Sequence, residues 1–371
     1  MANIEFSEEQ NMLRETAVDF CKNKSPISAV RAAIEADAPV DASVWQEMVS
    51  LGWLAVTVPE EHGGLDMGLT CAAAITEAMG QHLLAVPFAS TVLAIEALKT
   101  SGSETQQQTW LPQLATGGIG TLALVEEDGN WLLDEIAATG TLDGERVVLS
   151  GHKMLVEYAA VADLFVTSVR VDGQVCLALI GKDDLPEGAV QREIVIDETR
   201  RSYRLALDGI SLPAAQVTGP ADLASLEQAA LLLLSAEMSG GLTGTIDVIV
   251  EYLNTRKQFE RYIGSYQALK HPTVDILLAQ EAAKSYVYHA ATLLDQGSPE
   301  AETALRMAKA QGSEAFAFAG DRAVQFHGGF GFTYECDAQL FLRRALWCQH
   351  QFGDERHHRA LLAPLLLDVA I

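Results

Sequence analysis

A run of short β-rich segments occupies the middle of the chain, and long helix-like stretches flank it on both sides. Six apolar, β-branched stretches lie between residues 119 and 218, with four Asp-Gly pairs among them as turn signals. This density predicts a small β-domain, either a barrel or a sandwich. The flanking residues show apolar side chains at helical spacing. We therefore predict an α+β chain with an N-terminal helical domain (1–118), a central β-domain (119–218) and a C-terminal helical bundle (219–371).

The composition is that of a folded globule without a membrane anchor. Of the 371 residues, 49% are hydrophobic and 20% are charged, which suits a sizeable core. The longest apolar runs, such as residues 229–234, are far shorter than the roughly 18–20 residues that span a bilayer. The acidic N-terminus lacks signal-peptide features, and the five cysteines form no CxxC pair or Cys/His cluster. We predict a cytoplasmic protein without disulfides, metal site or membrane contact.

The net charge of −25 is unevenly distributed along the chain. Residues 256–371 contain 12 Lys and Arg against 13 Asp and Glu, so nearly all the acidity lies in residues 1–255. Nucleic-acid binding is disfavoured, because phosphate backbones need a basic face. An anionic ligand should be held by the C-terminal third of the chain or by a helix N-terminus.

Three side chains near the end of a predicted helix could bind a nucleotide. Arg256, Gln258 and Phe259 end a long proline-free stretch, residues 226–259. An arginine offers a fork of N–H donors that suits a diphosphate, and Phe259 offers a flat apolar face for a purine. Gln267 follows in the next helical segment. The residues alone equally allow a surface arginine, a solvated glutamine and a core phenylalanine.

A glycine-rich turn, QFHGGFG, joins two helical segments at residues 325–331. It contains Gln325, Gly328 and Gly329, and such glycines let backbone groups approach a ligand closely. A helix C-cap followed by a packing turn would give the same pattern. His327 within it could be catalytic, although a role in positioning the backbone is favoured.

The chain resembles the acyl-CoA dehydrogenases over essentially its whole length. Three stretches in family order carry the resemblance: WQEMVSLGWLAVTVPEEHGGLDM (45–67), EYLNTRKQFERYIGSYQALKH (251–271) and AVQFHGGFGFTYECDAQLFLRRA (323–345). The resemblance implies an FAD-dependent enzyme that removes hydrogens from the α and β carbons of an acyl-CoA thioester. It also implies the architecture of helices, β-domain and helices, assembled as a tetramer with a dimer as the minimum.

The resemblance assigns cofactor contacts to residues of this sequence. Arg256, Gln258 and Phe259 match the positions that hold the diphosphate and adenine of an FAD bound mainly to a neighbouring subunit. Further cofactor-binding positions are Gln267, Gln325, Gly328, Gly329 and Val125.

The chain departs from the family where the flavin ring is contacted. The family's Thr-Glu-Pro-Gly loop matches residues 124–129, so the Thr hydroxyl is lost to Val125. The Trp-Ile-Thr-Asn strand matches residues 155–158, which lack both the aromatic wall and the hydroxyl and include Glu157. The family's Arg-Asp pair matches Arg343 and Arg344, so an arginine replaces the acid.

Both positions where the family carries its catalytic base lack a carboxylate. One position holds Phe352, seven residues after Ala345, and the other holds Ala230 on the long helix. Neither side chain can accept a proton. Glu237, on a similar helix face to Ala230, is the weak candidate for a relocated base. Glu227 and Asp354 are other nearby carboxylates, although capping or surface roles are favoured for them.

Several functions remain open at this point. The leading one is an FAD-binding, base-less subunit of an acyl-CoA dehydrogenase, paired as α2β2 with a base-bearing homologue. Such pairs are known in the family for bulky steroid side chains, so fatty-acyl and steroid degradation are both considered. A homo-oligomeric dehydrogenase with a relocated base comes second. A flavin-dependent oxygenase on the same fold and a non-catalytic assembly subunit are the alternatives.

Overall fold

The computed structural model describes residues 8–37 and 39–367. Within these residues, eleven α-helices are present: α1 (Glu8–Lys24), α2 (Ile27–Ala36), α3 (Ala42–Ser50), α4 (Leu69–Gln81), α5 (Phe88–Ser101), α6 (Glu104–Ala115), α7 (Leu223–Thr255), α8 (Gln267–Asp295), α9 (Ala301–Phe326), α10 (Ala338–His350) and α11 (Glu355–Leu367). The strands of the same residues are β1 (Gly120–Ala123), β2 (Thr139–Asp143), β3 (Arg146–Ser150), β4 (His152–Glu157), β5 (Leu164–Val171), β6 (Gln174–Gly181), β7 (Val190–Glu193), β8 (Ser202–Ala206), β9 (Ser211–Pro213), β10 (Val217–Pro220), β11 (Lys257–Gln258) and β12 (Arg261–Tyr262).

The predicted succession of helical, β-rich and helical segments is confirmed. Strands begin at Gly120 and, apart from one short hairpin, end at Pro220. The domain boundaries at 118 and 218 stay predictions. By backbone contacts the chain forms two compact units. We call residues 1–32, 69–84 and 230–371 the helical unit, and residues 33–68 and 85–229 the mixed unit.

The mixed unit is built around a seven-stranded sheet with the order β10-β6-β5-β2-β3-β9, in which β1 also pairs with β5. Its longest ladder is the antiparallel pair β5 and β6, in register from Leu164 opposite Gly181 to Val171 opposite Gln174. Asp172 and Gly173, both at positive φ, form the turn between them. Two left-handed residues in a row match the right-handed twist of a hairpin, which explains the Asp-Gly signal.

A second sheet of the mixed unit has three strands in the order β4-β8-β7. The pairing of β4 with β8 shifts register between Lys153 and Val156. Leu155 lies at that irregularity, and it has a φ of +54°. A non-glycine residue in the left-handed region is strained, so this stretch of β4 is held by its surroundings.

The helical unit packs around α9, which contacts α8, α10 and α11. Helices α4 and α7 approach each other so closely that their glycines are required. A Cβ on Gly80 would lie 2.1 Å from the carbonyl oxygen of Glu237, and one on Gly240 would lie 1.8 Å from that of Glu77. The Gly240 position therefore marks a backbone contact between helices.

Helix α7 is long and apolar enough, by length and composition, to cross a membrane, but 83% of its apolar window is buried inside the protein. A core helix has these same properties. The C-terminal end of α7 differs from the sequence prediction. The predicted helix to Phe259 is wrong, because α7 stops at Thr255 and residues 257–262 form the β11–β12 hairpin. Phe259 and Glu260 lie at positive φ in its turn.

Candidate functional site

An open cavity of about 730 Å³ lies in the helical unit, where three segments meet. The segments are the end of α7, the β11–β12 hairpin and the glycine turn after α9. The lining includes Tyr252, Arg256, Gln258, His327, Gly328 and Gly329. The structure thus brings together two motifs that are far apart in the sequence, and four predicted cofactor-binding residues are among the six.

The glycine turn leaves one wall of this cavity open to a ligand. A Cβ built on Gly328 or on Gly329 would meet no heavy atom within 4 Å. Gly328 also has a φ of +61°, which favours glycine. A Cβ on Gly331 would instead lie 2.1 Å from the carbonyl oxygen of Val324. Gly331 is therefore required by the close packing of the turn against α9. Backbone N–H and C=O groups are therefore accessible at residues 328 and 329.

Arg256 provides the cationic side chain of the cavity. Its backbone N–H donates to the carbonyl of Tyr252 at 2.9 Å, and its own carbonyl accepts from the N–H of Ile263 at 2.9 Å. These bonds fix the backbone on both sides of the hairpin. Within residues 8–37 and 39–367 the exposed guanidinium has no ion-pair partner, so its donors are available to an anion.

Three other predicted cofactor residues lie outside the lining. Phe259, at the tip of the hairpin, is 87% exposed. Gln267 is the exposed first residue of α8, and Gln325 is exposed on the last turn of α9. A large apolar ring that protrudes as far as Phe259 has almost no packing of its own, which is typical of a contact with a second molecule. The cofactor roles of these three residues stay predictions.

Val125 belongs to the mixed unit, and its side chain is buried. Its carbonyl accepts from the Met154 N–H at 2.8 Å in an isolated β-bridge. The next residue, Glu126, accepts from the backbone N–H groups of Ala137 and Ala138. It also accepts from the fully buried Lys153 at 2.7 Å. This loop is therefore held by Glu126, and the assignment of Val125 to the cofactor stays a prediction.

Glu157, which replaces a family residue near the flavin ring, has a cationic partner. Arg200 donates to the Glu157 carboxylate at 3.2 Å, and the arginine side chain is almost completely buried. The negative charge introduced at position 157 is thus compensated within the mixed unit. Tyr158 follows as a buried residue with a φ of +56°, so residues 155–158 differ from an aromatic wall in shape as well as in chemistry.

Glu237 forms a buried ion pair with Arg344. The arginine Nη1 donates to Glu237 Oε1 at 2.7 Å, and the Arg344 side chain has no exposed surface. Arg344, which replaces the acid of the family's Arg-Asp pair, therefore has a buried carboxylate partner. The Glu237 carboxylate is thus engaged by a buried guanidinium, and its role as a relocated base stays a prediction.

The corner between α10 and α11, where the resemblance places a base, is formed by backbone carbonyls and buried cationic or imidazole side chains. Phe352 is buried at a φ of +54°, and its carbonyl accepts from His358 Nε2 at 2.9 Å. The Gly353 carbonyl accepts from Lys309 Nζ at 2.7 Å. Burial lowers the pKa of His358 to about 3 and that of Lys309 to about 7.

Asp354 begins α11 as a cap. Its Oδ1 accepts from the backbone N–H groups of His357 at 2.9 Å and Arg356 at 3.1 Å. These bonds, the first being the larger cause, lower the pKa of Asp354 below its ordinary value. A depressed pKa makes a weaker base, so the capping role predicted from the sequence fits. Ala230 is buried on α7 and has no group that could accept a proton.

Tyr252 is a cavity residue that the sequence analysis did not single out. Arg256 follows it by four residues, directly after the end of α7, and its backbone N–H donates to the Tyr252 carbonyl. This spacing, which puts the two residues on one side of the helix end, could have identified Tyr252. The buried Lys309 carried no such signal, because two of its three acceptors are carbonyls from residues 40 or more positions away. In the described part of the chain, no group of three or more His, Cys, Asp or Glu side chains could hold a metal ion.

Two family models match the chain. The model "Acyl-CoA dehydrogenase, N-terminal domain" covers residues 7–118, and "Acyl-CoA dehydrogenase, C-terminal domain" covers residues 226–367. Acyl-CoA dehydrogenase IpdE2 of Mycolicibacterium smegmatis is 30% identical over 352 residues, which are 94% of this chain and 96% of that protein.

Solved structures share the fold over the full length. One chain of the ChsE4-ChsE5 complex from Mycobacterium tuberculosis superposes on this protein with a TM-score of 0.91 at 25% identity. The match covers 100% of this chain and 100% of that one. Butyryl-CoA dehydrogenase from Megasphaera elsdenii superposes with a TM-score of 0.86 at 19% identity, covering 98% of this chain and 99% of that one.

Proposed function

The chain belongs to the acyl-CoA dehydrogenase family of oxidoreductases, and from this we propose that it is an FAD-binding subunit that works with a base-bearing homologue. The resemblance of its three sequence motifs to this family is thereby confirmed. The finer proposal rests on one observation: Arg256, Gln258, Gly328 and Gly329 converge on one cavity. The five cysteines are all buried and form no disulfide, which supports a reducing compartment such as the cytoplasm.

The residues of this cavity fit part of FAD. The open space beside Gly328 and Gly329 admits close approach to the backbone, and the Arg256 guanidinium suits a diphosphate. Gln258 adds an amide that can donate or accept. FAD supplies the acceptor for the hydride that leaves the β carbon of an acyl thioester during dehydrogenation. This chain's residues bind and orient it through the adenosine and diphosphate side.

The positions that the resemblance assigns to the proton-accepting base hold no carboxylate in this chain. Phe352 and Ala230 occupy the two base positions, Glu237 pairs with Arg344, and Asp354 caps α11 with a lowered pKa. Loss of a general base typically costs about 10²- to 10⁴-fold in rate. We therefore propose that a partner subunit supplies the base, and that the acyl group, fatty or steroid, is selected there.

A heteromeric assembly is supported by a structural neighbour. The ChsE4-ChsE5 structure is, by its title, a complex of two named proteins, and one of its chains shares this fold. The protruding Phe259 and the exposed Gln267 are also better explained by contact with another subunit than by this chain alone. We propose an α2β2 tetramer, in which these residues contact an FAD seated mainly in the partner.

The cofactor part of the proposal is tested with Arg256→Ala. We expect this variant to release FAD on desalting without unfolding, because the diphosphate loses its cationic contact. Arg261→Ala is the matched control, since Arg261 is an exposed arginine in the same hairpin. FAD content is measured from the flavin absorbance per chain. Full retention of FAD by Arg256→Ala would overturn the proposal.

The catalytic part is tested by purifying the chain alone and co-expressed with a base-bearing homologue. We expect acyl-CoA oxidation by the lone chain to be at least about 10²-fold slower than by the complex. In the complex, Glu237→Gln should leave the rate per bound FAD unchanged. Robust turnover by the lone chain would contradict the partner proposal. Loss of turnover by a Glu237→Gln complex that stays folded and retains its FAD would restore Glu237 as the base.

A further inference from the structure

His327 is only 6% exposed, yet it lines the nucleotide cavity. It directly precedes Gly328 at the point where α9 ends and the glycine turn begins. A nearly buried imidazole is costly unless its nitrogens are satisfied. The structure satisfies one nitrogen and leaves the other for a ligand.

The tautomer of His327 follows from its one side-chain hydrogen bond. Nδ1 lies 2.7 Å from the carbonyl oxygen of Ala323. A carbonyl can only accept, so Nδ1 carries the hydrogen and the neutral ring has its lone pair on Nε2. In the described part of the chain, no other residue forms a hydrogen bond with Nε2. The ring therefore offers one hydrogen-bond acceptor at the cavity.

Tyr252 holds this ring in place. The two rings stack with centroids 4.0 Å apart and planes inclined by 24°. The Tyr252 hydroxyl also donates to the His327 carbonyl at 3.4 Å. Tyr252 lies one helical turn before Arg256, so the stack connects the arginine at the end of α7 to the glycine turn after α9. An acceptor held in one orientation is a suitable element for recognition.

We propose that His327 is a recognition residue for the nucleotide, and that its Nε2 accepts a hydrogen bond from a hydroxyl or amino group of the ribose or base. This rests on the proposed function, because it takes the cavity as the site of the adenosine diphosphate part of FAD. A phosphate dianion has no hydrogen to donate, so the diphosphate is assigned to Arg256. Arg256 thus provides charge, and His327 selects the nucleoside.

The experiment titrates ADP into the purified protein by calorimetry and compares two substitutions at one position. His327→Asn places an amide near Nδ1 and keeps a donor for Ala323, but it has no atom at the Nε2 position. His327→Gln places an amide oxygen near Nε2 and gives up the Ala323 bond. We expect His327→Asn to bind ADP about 5-fold more weakly, as for the loss of one hydrogen bond, and His327→Gln to recover most of the affinity.

Ligand analogues identify the donor that Nε2 recognises. IDP lacks the 6-amino group of ADP, and 2′-deoxy-ADP and 3′-deoxy-ADP each lack one ribose hydroxyl. We expect one of these analogues to bind wild type and His327→Asn with equal affinity, because its missing group is the donor. His271→Asn makes the same substitution at an exposed histidine of α8 that does not line the cavity, and it serves as the control with near wild-type affinity.

The outcomes separate this inference from the proposed function. If wild-type protein binds neither ADP nor FAD, the proposed function fails, and the inference fails with it. If wild type binds ADP and Arg256→Ala does not, the cavity is the nucleotide site. Equal ADP affinity of His327→Asn and wild type would then overturn the inference alone. An equal loss of affinity in His327→Asn for ADP and for all three analogues would also overturn the inference, since that pattern indicates a packing role.

Discussion

The Lys309 side chain is completely buried in the helical unit, and three acceptors surround its amino group. Nζ donates to Ser313 Oγ at 3.0 Å, to the Gln349 carbonyl at 2.9 Å and to the Gly353 carbonyl at 2.7 Å. These bonds hold α9 against the corner between α10 and α11. Burial lowers the pKa of Lys309 to about 7 in spite of the nearby acidic groups.

This pKa makes the stability of the protein depend on pH. The unfolded chain keeps the Lys309 proton up to a pKa of about 10.4, whereas the folded chain releases it near pH 7. Between these values the unfolded state binds more protons, so the free energy of unfolding rises with pH. We expect the stability of wild type relative to Lys309→Met to grow by about 2 kcal/mol from pH 7 to pH 9.

Urea unfolding at the two pH values measures this difference. Subtracting the free energy of unfolding of the variant from that of wild type removes the contribution of the titrating groups that both proteins share. Lys270→Met is the matched control, because Lys270 is exposed on α8 and its loss should leave the wild-type dependence intact. Parallel pH profiles for wild type and Lys309→Met would show that Lys309 keeps one protonation state over this range.

At the level of single residues, the sequence predicted those cavity residues that belong to a recognisable motif. Arg256, Gln258 and the two glycines lie in two short stretches, and their chemistry suits a diphosphate whatever the fold. The acceptors of Lys309 are mostly backbone carbonyls brought close by packing, and no sequence pattern encodes them. Glu237 was predicted only as the weak candidate for a relocated base, and only the helix arrangement could identify its partner, Arg344.

At the level of elements, the buried Glu237–Arg344 pair joins α7 to α10. Removal of one partner leaves the other charge in a buried environment, which typically costs about 3–5 kcal/mol. We expect Glu237→Leu and Arg344→Met each to destabilise the protein by this amount. The double variant that combines the two substitutions should cost less than either single change, because no charge of the pair remains buried.

The free energies of unfolding of wild type, the two single variants and the double variant form a double-mutant cycle. The exposed pair of Arg359 with Glu314 is the control, and Glu314→Gln should cost less than about 1 kcal/mol, as surface pairs do. Additive costs for Glu237→Leu and Arg344→Met would contradict a direct interaction between the two side chains.

The helices and strands were predicted well where either the helical or the strand periodicity dominates the sequence. Six β-rich stretches were predicted between residues 119 and 218, and β1 to β10 lie between Gly120 and Pro220. The predicted helical stretch 226–259 corresponds to α7, which ends at Thr255. The β11–β12 hairpin was missed because its six residues have no alternation, and neither proline nor glycine separates them from α7.

At the scale of the whole molecule, the distribution of charge favours association through the C-terminal helices. Nearly all the net charge of −25 lies in residues 1–255, and like-charged surfaces repel at close range. Helix α8, in the near-neutral part, exposes Val274, Leu277 and Leu278, the last at 64% of its surface. An apolar stripe of this kind is typical of a subunit contact.

We expect the protein to sediment as a dimer or a tetramer, and Leu278→Glu to shift it toward smaller species by adding charge to that stripe. Leu142→Glu, at an exposed position on β2, is the control and should leave the sedimentation coefficient unchanged. A wild-type monomer that still holds FAD would rule out both this association and a cofactor site shared between subunits.

Helix α4 has no outer face, since every residue from Leu69 to Gly80 is buried. Most helices keep a polar side on which substitutions accumulate without effect. Here each change alters a packed contact, and at Gly80 even a methyl group meets the backbone of α7. We therefore expect random substitutions in α4 to be tolerated only where they preserve side-chain volume or are matched by a second change in a neighbouring helix, and to be harmful more often than in helices with a solvent-exposed side.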